Sequence, residues 1–419
     1  MNKMKKILIL GGNHIEKEIV LRAKELGYYT IVTDNHEDWS LSPAKQIADE
    51  GWNISWSDID SLEDECIKRH VDGVLAGFSE FRVEAMIKLC TRLNLPCSLN
   101  MHQLDVTRDK IMFKEICRKN DVPTVPEYSL DNVSSFPVII KPVDRAGSIG
   151  INVACNKTEL KKYYQVALSL SPSKQVIIED FITNGIKFDV YYYVQNGTPY
   201  FLGSSDTIMC KGDLGAKILQ KCWPFKSKYE DEYHRTVEQS VLSMIKSLGI
   251  KNTYVTMSAF YVDGKFYFFE TGFRLSGEMS FNYQEANSGM NYIKTMLRYA
   301  LGEETDDIYY NIKTYKKKSV VLNYFVIDGI VEHIIGVDKL NANPCIYALN
   351  LYVQEGDVVN NNTNVFKKGA MITIVTDTET ELKETIIWAN ETFDIISTGQ
   401  NSMIYEKVSK EEIINYYNQ

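Results

Sequence analysis

Short apolar runs alternate with helical patterns along the first 100 residues, and this alternation limits the chain to few folds. The first run, residues 6–10, ends at a pair of glycines, which is typical of a buried parallel strand and a tight turn. Helical spacing follows over 15–26, and the runs 29–33 and 71–76 predict further strands. Because a parallel sheet binds ligands beyond the carboxyl ends of its strands, we expect a site at that edge.

The length and charge of the chain exclude several classes of protein. Its 419 residues are enough for about three domains. Lys and Arg total 46 against 55 Asp and Glu, and the net charge of −9 disfavours a protein that coats nucleic acid or anionic lipid. No apolar stretch reaches the roughly 20 residues of a membrane span, and residues 5–10 are too short for the apolar part of a signal peptide. We therefore expect no nucleic-acid partner and no membrane partner.

Cysteine and histidine are scattered along the chain rather than clustered. The eight cysteines include no C-x-x-C pair, and the six histidines show no metal-ligand spacing. This favours reduced thiols in a cytoplasmic protein over a disulfide framework or a zinc site. We expect the chemistry to come from phosphates, carboxylates and lysines.

After residue 100 the pattern changes to strands in series. Asp263-Gly264 separates two aromatic-rich runs and is a strong β-hairpin signal. From Lys316 onward, short strands and one helix predict a small α+β domain. The predicted helices are 61–70 in the first region and 109–119, 229–248, 292–301 and 380–390 in the rest of the chain. The predicted strands of the middle region are 136–141, 149–155, 175–181, 188–195, 200–204, 254–261 and 265–270.

A lysine at the end of an apolar strand marks the first candidate site. In the run 136–142, Lys141 follows three apolar residues, so its ammonium projects into the cleft that the strand borders. The loop 144–150 contains small residues whose backbone N–H groups can approach phosphate oxygens, although it lacks the G-x-x-x-x-G-K-[ST] pattern of a P-loop. The alternative is a surface lysine before a flexible hairpin, and this segment by itself leaves both interpretations open.

Two further segments carry candidate residues. The apolar strand 176–182 can read an adenine edge through its backbone, or it is an ordinary strand. The run 266–278 places Glu270 at the end of an aromatic strand and Arg274 four residues later. Because an unpaired charge is costly to bury, these two residues either form a structural ion pair or act on a ligand. In the second case Glu270 holds Mg²⁺ beside phosphates, and Arg274 stabilises a phosphorylated intermediate.

Taken in order, these segments resemble the ATP-grasp superfamily, in the carboxylate–amine ligase branch that includes L-amino-acid ligases and biotin carboxylase. The resemblance adds the segment 107–110 before a helix and a closing helix within 289–302. Residues 11–14 do not form a complete G-x-G-x-x-G, which fits a first domain that has lost a dinucleotide role. The implied fold is α/β and α+β, with a Rossmann-like pre-ATP-grasp domain over 1–100, an ATP-grasp domain over 101–315 and a small β-rich domain over 316–419.

The resemblance also implies a role for each candidate residue, with ATP and Mg²⁺ as cofactors and Mn²⁺ as a substitute. Lys110 and Lys141 hold phosphates, Glu270 binds the metal, and Lys141 and Arg274 are catalytic, with Arg274 facing the acyl phosphate. The other nucleotide contacts are the loop Gly147, Ser148, Ile149 and Gly150; the adenine segment Glu179, Asp180, Phe181 and Ile182; Lys187 at the ribose; and Phe260 and Phe269 on the apolar side of the base.

The implied metal shell departs from the family pattern. Ser258 and Gly272 stand where the family has a first metal-binding acid and an asparagine. Since Mg²⁺ keeps several waters, it is expected to rest largely on Glu270 and the phosphates, with Glu278 as a further candidate ligand.

The implied function is an ATP-dependent ligase that joins a small-molecule carboxylate to an amine through an acyl phosphate. ADP and phosphate are the other products, and positioning and charge neutralisation supply the catalysis. The family branch favours a homodimer. Two alternatives stay open: an ATP- and bicarbonate-dependent carboxylase, and an ATP-binding protein without catalysis.

Overall fold

A four-stranded parallel sheet forms the N-terminal part of the molecule. The computed structural model describes residues 4–145, 149–211, 219–304, 316–361 and 366–418. The strand order is β3-β2-β1-β4, and every pairing is parallel, as the alternating pattern predicts. The elements are β1 (Lys6–Leu10), a 3₁₀ turn (His14–Glu16), α1 (Lys17–Glu25), β2 (Tyr29–Thr33), a second 3₁₀ turn (Trp39–Leu41), α2 (Pro43–Ile47), β3 (Glu50–Trp52), α3 (Ile59–Arg69), β4 (Gly73–Leu75) and α4 (Glu80–Leu93).

The start of α3 differs from its prediction. The helix begins at Ile59, and Asp58 caps it by accepting a hydrogen bond from the backbone N–H of Ser61 at 3.2 Å. Ser61 therefore lies inside the first turn instead of capping it. An aspartate is as good a cap as a serine, and the run of polar residues offered both. The end near His70 is confirmed, since His70 is the left-handed C-terminal residue.

A second, antiparallel sheet of four strands lies in the middle of the chain. Its order is β5-β8-β6-β7, and it has a small core of its own around Val138, Ile140 and Ile178. The strand pair β6–β8 sets Lys141 opposite Ile177. The elements are α5 (Met101–Arg108), α6 (Lys110–Lys119), β5 (Glu127–Tyr128), β6 (Val138–Pro142), β7 (Asn152–Ala154), α7 (Lys157–Leu170) and β8 (Val176–Asp180).

A sheet of eight strands runs through the centre of the molecule in the order β13-β12-β9-β10-β11-β14-β18-β16. The aromatic hairpin is confirmed: Asp263 and Gly264 have φ of 49° and 77°, as a two-residue turn between twisted strands requires. The predicted helix 229–248 is instead two helices, because Val237 leaves the helical region at φ −137°. The elements are β9 (Ile186–Gln195), β10 (Thr198–Met209), β11 (Gln220–Phe225), α8 (Glu230–Thr236), α9 (Glu238–Ser247), β12 (Thr253–Val262), β13 (Lys265–Gly272), α10 (Ser280–Ser288) and α11 (Tyr292–Ala300).

The C-terminal strands continue this central sheet. Strand β14 pairs with β11 through Cys222 and Leu322, so the boundary predicted at 316 falls between strands of one sheet. A three-stranded sheet, β17-β15-β19, lies beside it, and no helix among the described residues combines the length and apolarity needed to cross a membrane. The elements are β14 (Lys318–Val326), β15 (Gly329–Ile335), α12 (Val337–Ala342), β16 (Ile346–Leu351), β17 (Val358–Val359), β18 (Lys367–Thr376), α13 (Glu379–Thr392), β19 (Asp394–Ser397) and α14 (Lys410–Asn418).

Candidate active site

Lys141 is held in place by a buried carboxylate. Its Nζ donates to Glu179 Oε2 at 2.6 Å, from β6 to the neighbouring strand β8. The other oxygen, Glu179 Oε1, lies 2.5 Å from Nζ of Lys114, a lysine of α6 that is only 2% exposed. Burial by itself raises the pKa of Glu179, but Lys141 and Lys114 hold that pKa below its ordinary value. Glu179 is thus a charged anchor between two lysines.

This network engages the side chain of Glu179. Its carboxylate is committed to Lys141 and Lys114, which leaves the backbone of this residue for the predicted adenine contact. A contact through its backbone stays a prediction. The neighbouring carboxylate of Asp180 is also engaged, since it accepts a hydrogen bond from the Tyr128 hydroxyl at 2.6 Å, and the backbone N–H of Phe181 donates to Pro137.

Lys110 lies close to Lys141 without a carboxylate hydrogen-bonded to it. It is the first residue of α6, which Asp109 caps by accepting from the N–H groups of Ile111 and Met112. Its Nζ donates to the backbone oxygens of Val143 at 3.1 Å and Arg145 at 3.0 Å. Burial, and then the positive charge of Lys141, lower the pKa of Lys110. Two half-buried ammonium groups this close favour an anionic ligand between them.

Gly150, which follows β6, lies against the end of that strand. Gly150 has φ of +77°, and a Cβ there would lie 2.8 Å from Pro142 Cγ, so only glycine fits without movement. Ile149 is exposed. Gly147 and Ser148, the other predicted residues of this loop, lie outside the described residues, and their role stays a prediction.

Glu270 and Arg274 do not pair with each other. Glu270 is exposed, and its carboxylate forms no hydrogen bond or ion pair with any residue that the structure describes. Arg274 Nε lies 3.6 Å from Glu80 Oε1, at the start of α4, and its guanidinium also donates to the carbonyl of Leu275. The alternative of a structural Glu270–Arg274 ion pair is therefore wrong, because the acid paired with Arg274 is Glu80, at the start of α4 beside the first sheet.

The charges on the two sides of the cleft interact. Burial raises the pKa of Glu80, the positive charge of Arg274 opposes this rise, and the negative charge of Glu270 adds to it. The positive charge of Lys110 also acts on Glu80, and Glu270 acts on Lys110. The sequence predicted Lys110, Lys141, Glu270 and Arg274 from segments up to 164 residues apart, and the fold brings them within electrostatic reach as one group of charges.

An apolar wall stands beside these charges. The rings of Phe260 and Phe269 stack at 4.8 Å between centroids. A Cβ on Gly185 would meet both Ile182 and Phe260, so Ile182 lies against the same wall. Phe260 is opposite Lys187 in the β9–β12 register. Ile182, Phe260 and Phe269 are close enough to line one face of a planar ring.

A divalent metal ion fits this cleft with few protein ligands. Among the described residues, no group of three or more His, Cys, Asp and Glu side chains could hold a metal ion. Within the ranges that the structure describes, Glu270 is an exposed, unpaired carboxylate that interacts with Lys110, and Mg²⁺ accepts one or two carboxylates when phosphates and waters complete its shell. Glu278 is half-buried, and burial and then Asp189 raise its pKa, so it is a poor ligand as it stands.

The turn after β1 has no free acid for a dinucleotide ribose. Asp34, at the end of β2, accepts hydrogen bonds from Ser42 at 2.5 Å and from the fully buried Lys45 at 2.7 Å. A Cβ on Gly12 would lie 2.0 Å from Asp34 Oδ2. This agrees with a Rossmann-like sheet that does not bind a dinucleotide.

Two charged residues, Glu16 and Lys368, were not predicted from the sequence. Glu16 is fully buried and paired with Arg82, and burial raises its pKa to about 7. Lys368, in β18, has its Nζ 5.4 Å from the ring of Tyr352 and no carboxylate hydrogen-bonded to it. Burial lowers the pKa of Lys368 to about 8, and Glu278 is the acid that opposes this. Two adjacent lysines ahead of an apolar run were the only available signal.

A family model for the carbamoyl-phosphate synthase L chain, ATP binding domain, matches residues 109–308. Over these residues the chain therefore resembles the ATP-grasp family. ATP and Mg²⁺ are the standard cofactors of this family. A curated relative, formate-dependent phosphoribosylglycinamide formyltransferase of Erythrobacter litoralis, is 28% identical over 190 residues, which are 42% of this chain and 47% of that protein. The chain thus spans about half the length of the curated relatives that it matches.

Solved structures extend the ATP-grasp fold over nearly the whole chain. An L-amino acid ligase from Bacillus licheniformis has a TM-score of 0.77 at 18% identity and covers 95% of this chain and 100% of its own. The biotin carboxylase domain dimer of Hydrogenobacter thermophilus 2-oxoglutarate carboxylase, in complex with MgADP and bicarbonate, has a TM-score of 0.76 at 18% identity, with 94% and 91% covered. The predicted fold class is confirmed, while the roles of individual residues stay predictions.

Proposed function

We propose that this ATP-grasp protein is a carboxylate–amine ligase. A carboxylate oxygen attacks the γ-phosphorus of ATP, ADP leaves, and the resulting acyl phosphate is attacked by an amine. The C–O bond to phosphate breaks as the C–N bond forms, so the products are an amide, ADP and phosphate. The observation that supports this most is the cleft in which Lys110 and Lys141 face Glu270 and Arg274.

The charges in that cleft suit phosphoryl transfer. Lys110 and Lys141 hold the phosphates, and Glu179 fixes the ammonium of Lys141. Glu270 holds the Mg²⁺ that accompanies ATP, and Arg274 stabilises the charge that develops on the acyl phosphate. Phosphoryl transfer of this kind depends on positioning and electrostatics, and no nucleophilic side chain is required.

The carboxylate substrate belongs to one of a few classes. The sequence relative is formate-dependent, and the solved neighbours include an L-amino acid ligase. Formate, an amino acid and a small organic acid are therefore the carboxylates to offer first. The bicarbonate in the 2-oxoglutarate carboxylase neighbour keeps an ATP- and bicarbonate-dependent carboxylase as the second candidate.

Phosphate release from Mg·ATP tests the proposal. Amino acids, formate and other small acids are offered singly and in pairs with amines, and bicarbonate is offered separately. Release that needs both a carboxylate and an amine is expected, whereas dependence on bicarbonate alone would support the carboxylase. Lys141→Ala should abolish release. Lys161→Ala removes an exposed lysine of α7, the helix beside the four-stranded sheet that carries Lys141, and this matched control should leave release unchanged.

The proposed partners are small molecules and a second copy of the chain. The 2-oxoglutarate carboxylase neighbour is described as a dimer, so a homodimer is the oligomeric state to test by sedimentation. A cytoplasmic location and the use of Mn²⁺ in place of Mg²⁺ remain predictions from the sequence.

A further inference from the structure

Three polar residues stand in a row across three neighbouring strands of the central sheet. Asp189 of β9 lies opposite Ser258 of β12, and Ser258 lies opposite Glu270 of β13. Directly opposite residues of antiparallel strands share one face, so the row leads from the sheet interior to the cleft. The Ser258 hydroxyl donates a hydrogen bond to Asp189 Oδ1 at 2.5 Å. Ser258, the middle residue of this row, therefore carries a neutral hydroxyl that acts as a hydrogen-bond donor. A carboxylate at this position would lie beside Glu270 and add a ligand to a metal site there.

Lys187 supplies a positive charge at the inner end of the row. Its Nζ lies 2.5 Å from Asp189 Oδ2, so both oxygens of this buried carboxylate are engaged. Lys187 and Asp189 are 9% and 2% exposed. The negative charges of Glu270 and Glu278 also act on Lys187. The ammonium of Lys187 is thus hydrogen-bonded to Asp189, and the negative charges of Glu270 and Glu278 act on it from a greater distance.

In this arrangement the positive charge is part of the protein itself, because it is carried by a lysine side chain that cannot dissociate. A buried group of acids normally needs a counter-charge, which a bound divalent metal or a lysine can provide. A lysine ammonium held by a carboxylate carries one positive charge and three N–H donors. Unlike a metal ion, it does not have to bind from solution. With Lys187 present, the negative field around Glu270 is reduced, and a triphosphate approaches at lower cost.

We propose that Lys187, tethered by Asp189, is a fixed cation that replaces a second metal ion, so that nucleotide binds here with a single divalent metal at Glu270. This inference rests on the proposed function, since it assumes that the cleft takes ATP. It assigns Lys187 to charge neutralisation beside the phosphates, in addition to the ribose contact implied by the resemblance. Asp189 and Ser258 are positioning residues that hold Lys187.

Counting bound Mn²⁺ tests the inference. Electron paramagnetic resonance of free Mn²⁺, with saturating AMP-PNP as a non-hydrolysable ATP analogue, gives the number of metal ions per bound nucleotide. The wild type is expected to bind one. The double variant Lys187→Met/Ser258→Glu removes the ammonium and adds a carboxylate next to Glu270, and it is expected to bind two.

The control shows whether the metal count changes when any buried, ion-paired lysine is removed or only when Lys187 is removed. Lys45→Met removes another buried, ion-paired lysine, in the first sheet, and should leave the count at one. A milder variant, Lys187→Gln, covers the case in which the double variant does not fold. Without divalent metal, its affinity for AMP-PNP should be about tenfold weaker than that of the wild type.

Each outcome decides between the ideas. Two Mn²⁺ ions in the wild type, or one in a folded double variant that binds AMP-PNP, would overturn the inference. Unchanged metal-free affinity in Lys187→Gln would also overturn it, because Lys187 would then be only a structural ion pair. If the wild type does not bind AMP-PNP at all, the proposed function itself is wrong, which is a distinct result from binding with two metal ions.

Discussion

At the scale of single residues, the charged side chains of the site are held in place by ion pairs with other charged side chains. Lys141 is useful as a phosphate ligand because Glu179 holds it, and Glu179 stays ionised because Lys114 lies on its other side. A buried ion network of this kind is costly to break, since the remaining partner keeps its charge without compensation. The residues that hold the catalytic groups are therefore as sensitive to mutation as those groups.

Glu179→Gln should release Lys141 and leave the buried Lys114 with Glu127, at 3.3 Å and partly exposed, as its remaining carboxylate. We expect the free energy of unfolding to fall by about 3 kcal/mol and the affinity for AMP-PNP to fall about tenfold, measured by urea denaturation and calorimetry. Glu65→Gln is the control, because Glu65 is an ion-paired carboxylate of α3 whose partners, Lys68 and Arg69, are exposed and lie outside this network. Its unfolding free energy should change by less than about 1 kcal/mol. Equal effects of the two substitutions would contradict the network.

Lys110 should give nucleotide binding a distinct pH dependence. Burial and the charge of Lys141 lower its pKa below the ordinary value of 10.5. The protonated amine is the form that binds phosphate, so affinity is complete below the lowered pKa and declines as pH rises through it. Lys110→Arg keeps its charge throughout, so its affinity should stay constant over the same alkaline series. Calorimetry with AMP-PNP measures both, and identical pH profiles would contradict this role.

At the scale of elements, sequence patterns located the strands but not their neighbours. Apolar runs and the Asp263-Gly264 turn predicted β6, β8, β12 and β13 closely. The row of Asp189, Ser258 and Glu270 depends on the register of three strands, which no local pattern encodes. The same limit hid the Arg274–Glu80 pair, whose partners are 194 residues apart in the chain. Charged residues could be predicted as candidates, whereas their pairing required the fold.

The loop after β6 offers a test at this scale, with a matched pair of glycines. Gly150 and Gly27 both have φ of +77°, but a Cβ would contact Pro142 only at Gly150, and nothing lies within 4 Å at Gly27. Each alanine substitution should lower the unfolding free energy by about 1 kcal/mol through backbone strain. Only Gly150→Ala should also weaken AMP-PNP binding, because it displaces the end of the strand that carries Lys141. Equal binding by both variants would contradict this role for the loop.

At the scale of the whole molecule, the cleft draws on all three predicted regions. Glu80 comes from a helix of the first sheet, Lys110 and Lys141 from the middle, and Lys368 from the last strands. The central sheet passes through the predicted boundary at 316, and one apolar core joins residues from Ile7 to Met371. Motif order in the sequence indicated which segments meet, but the continuity of sheet and core between them could not be read from it.

The transfer of oxygen from substrate to phosphate tests the central claim most directly. The carboxylate substrate found by the phosphate-release panel is labelled with ¹⁸O, and the released phosphate is analysed by mass spectrometry. An acyl phosphate intermediate predicts that each released phosphate carries a single ¹⁸O atom derived from the carboxylate. Phosphate without that label would contradict it, because ATP would then have been hydrolysed by water and the carboxylate never phosphorylated.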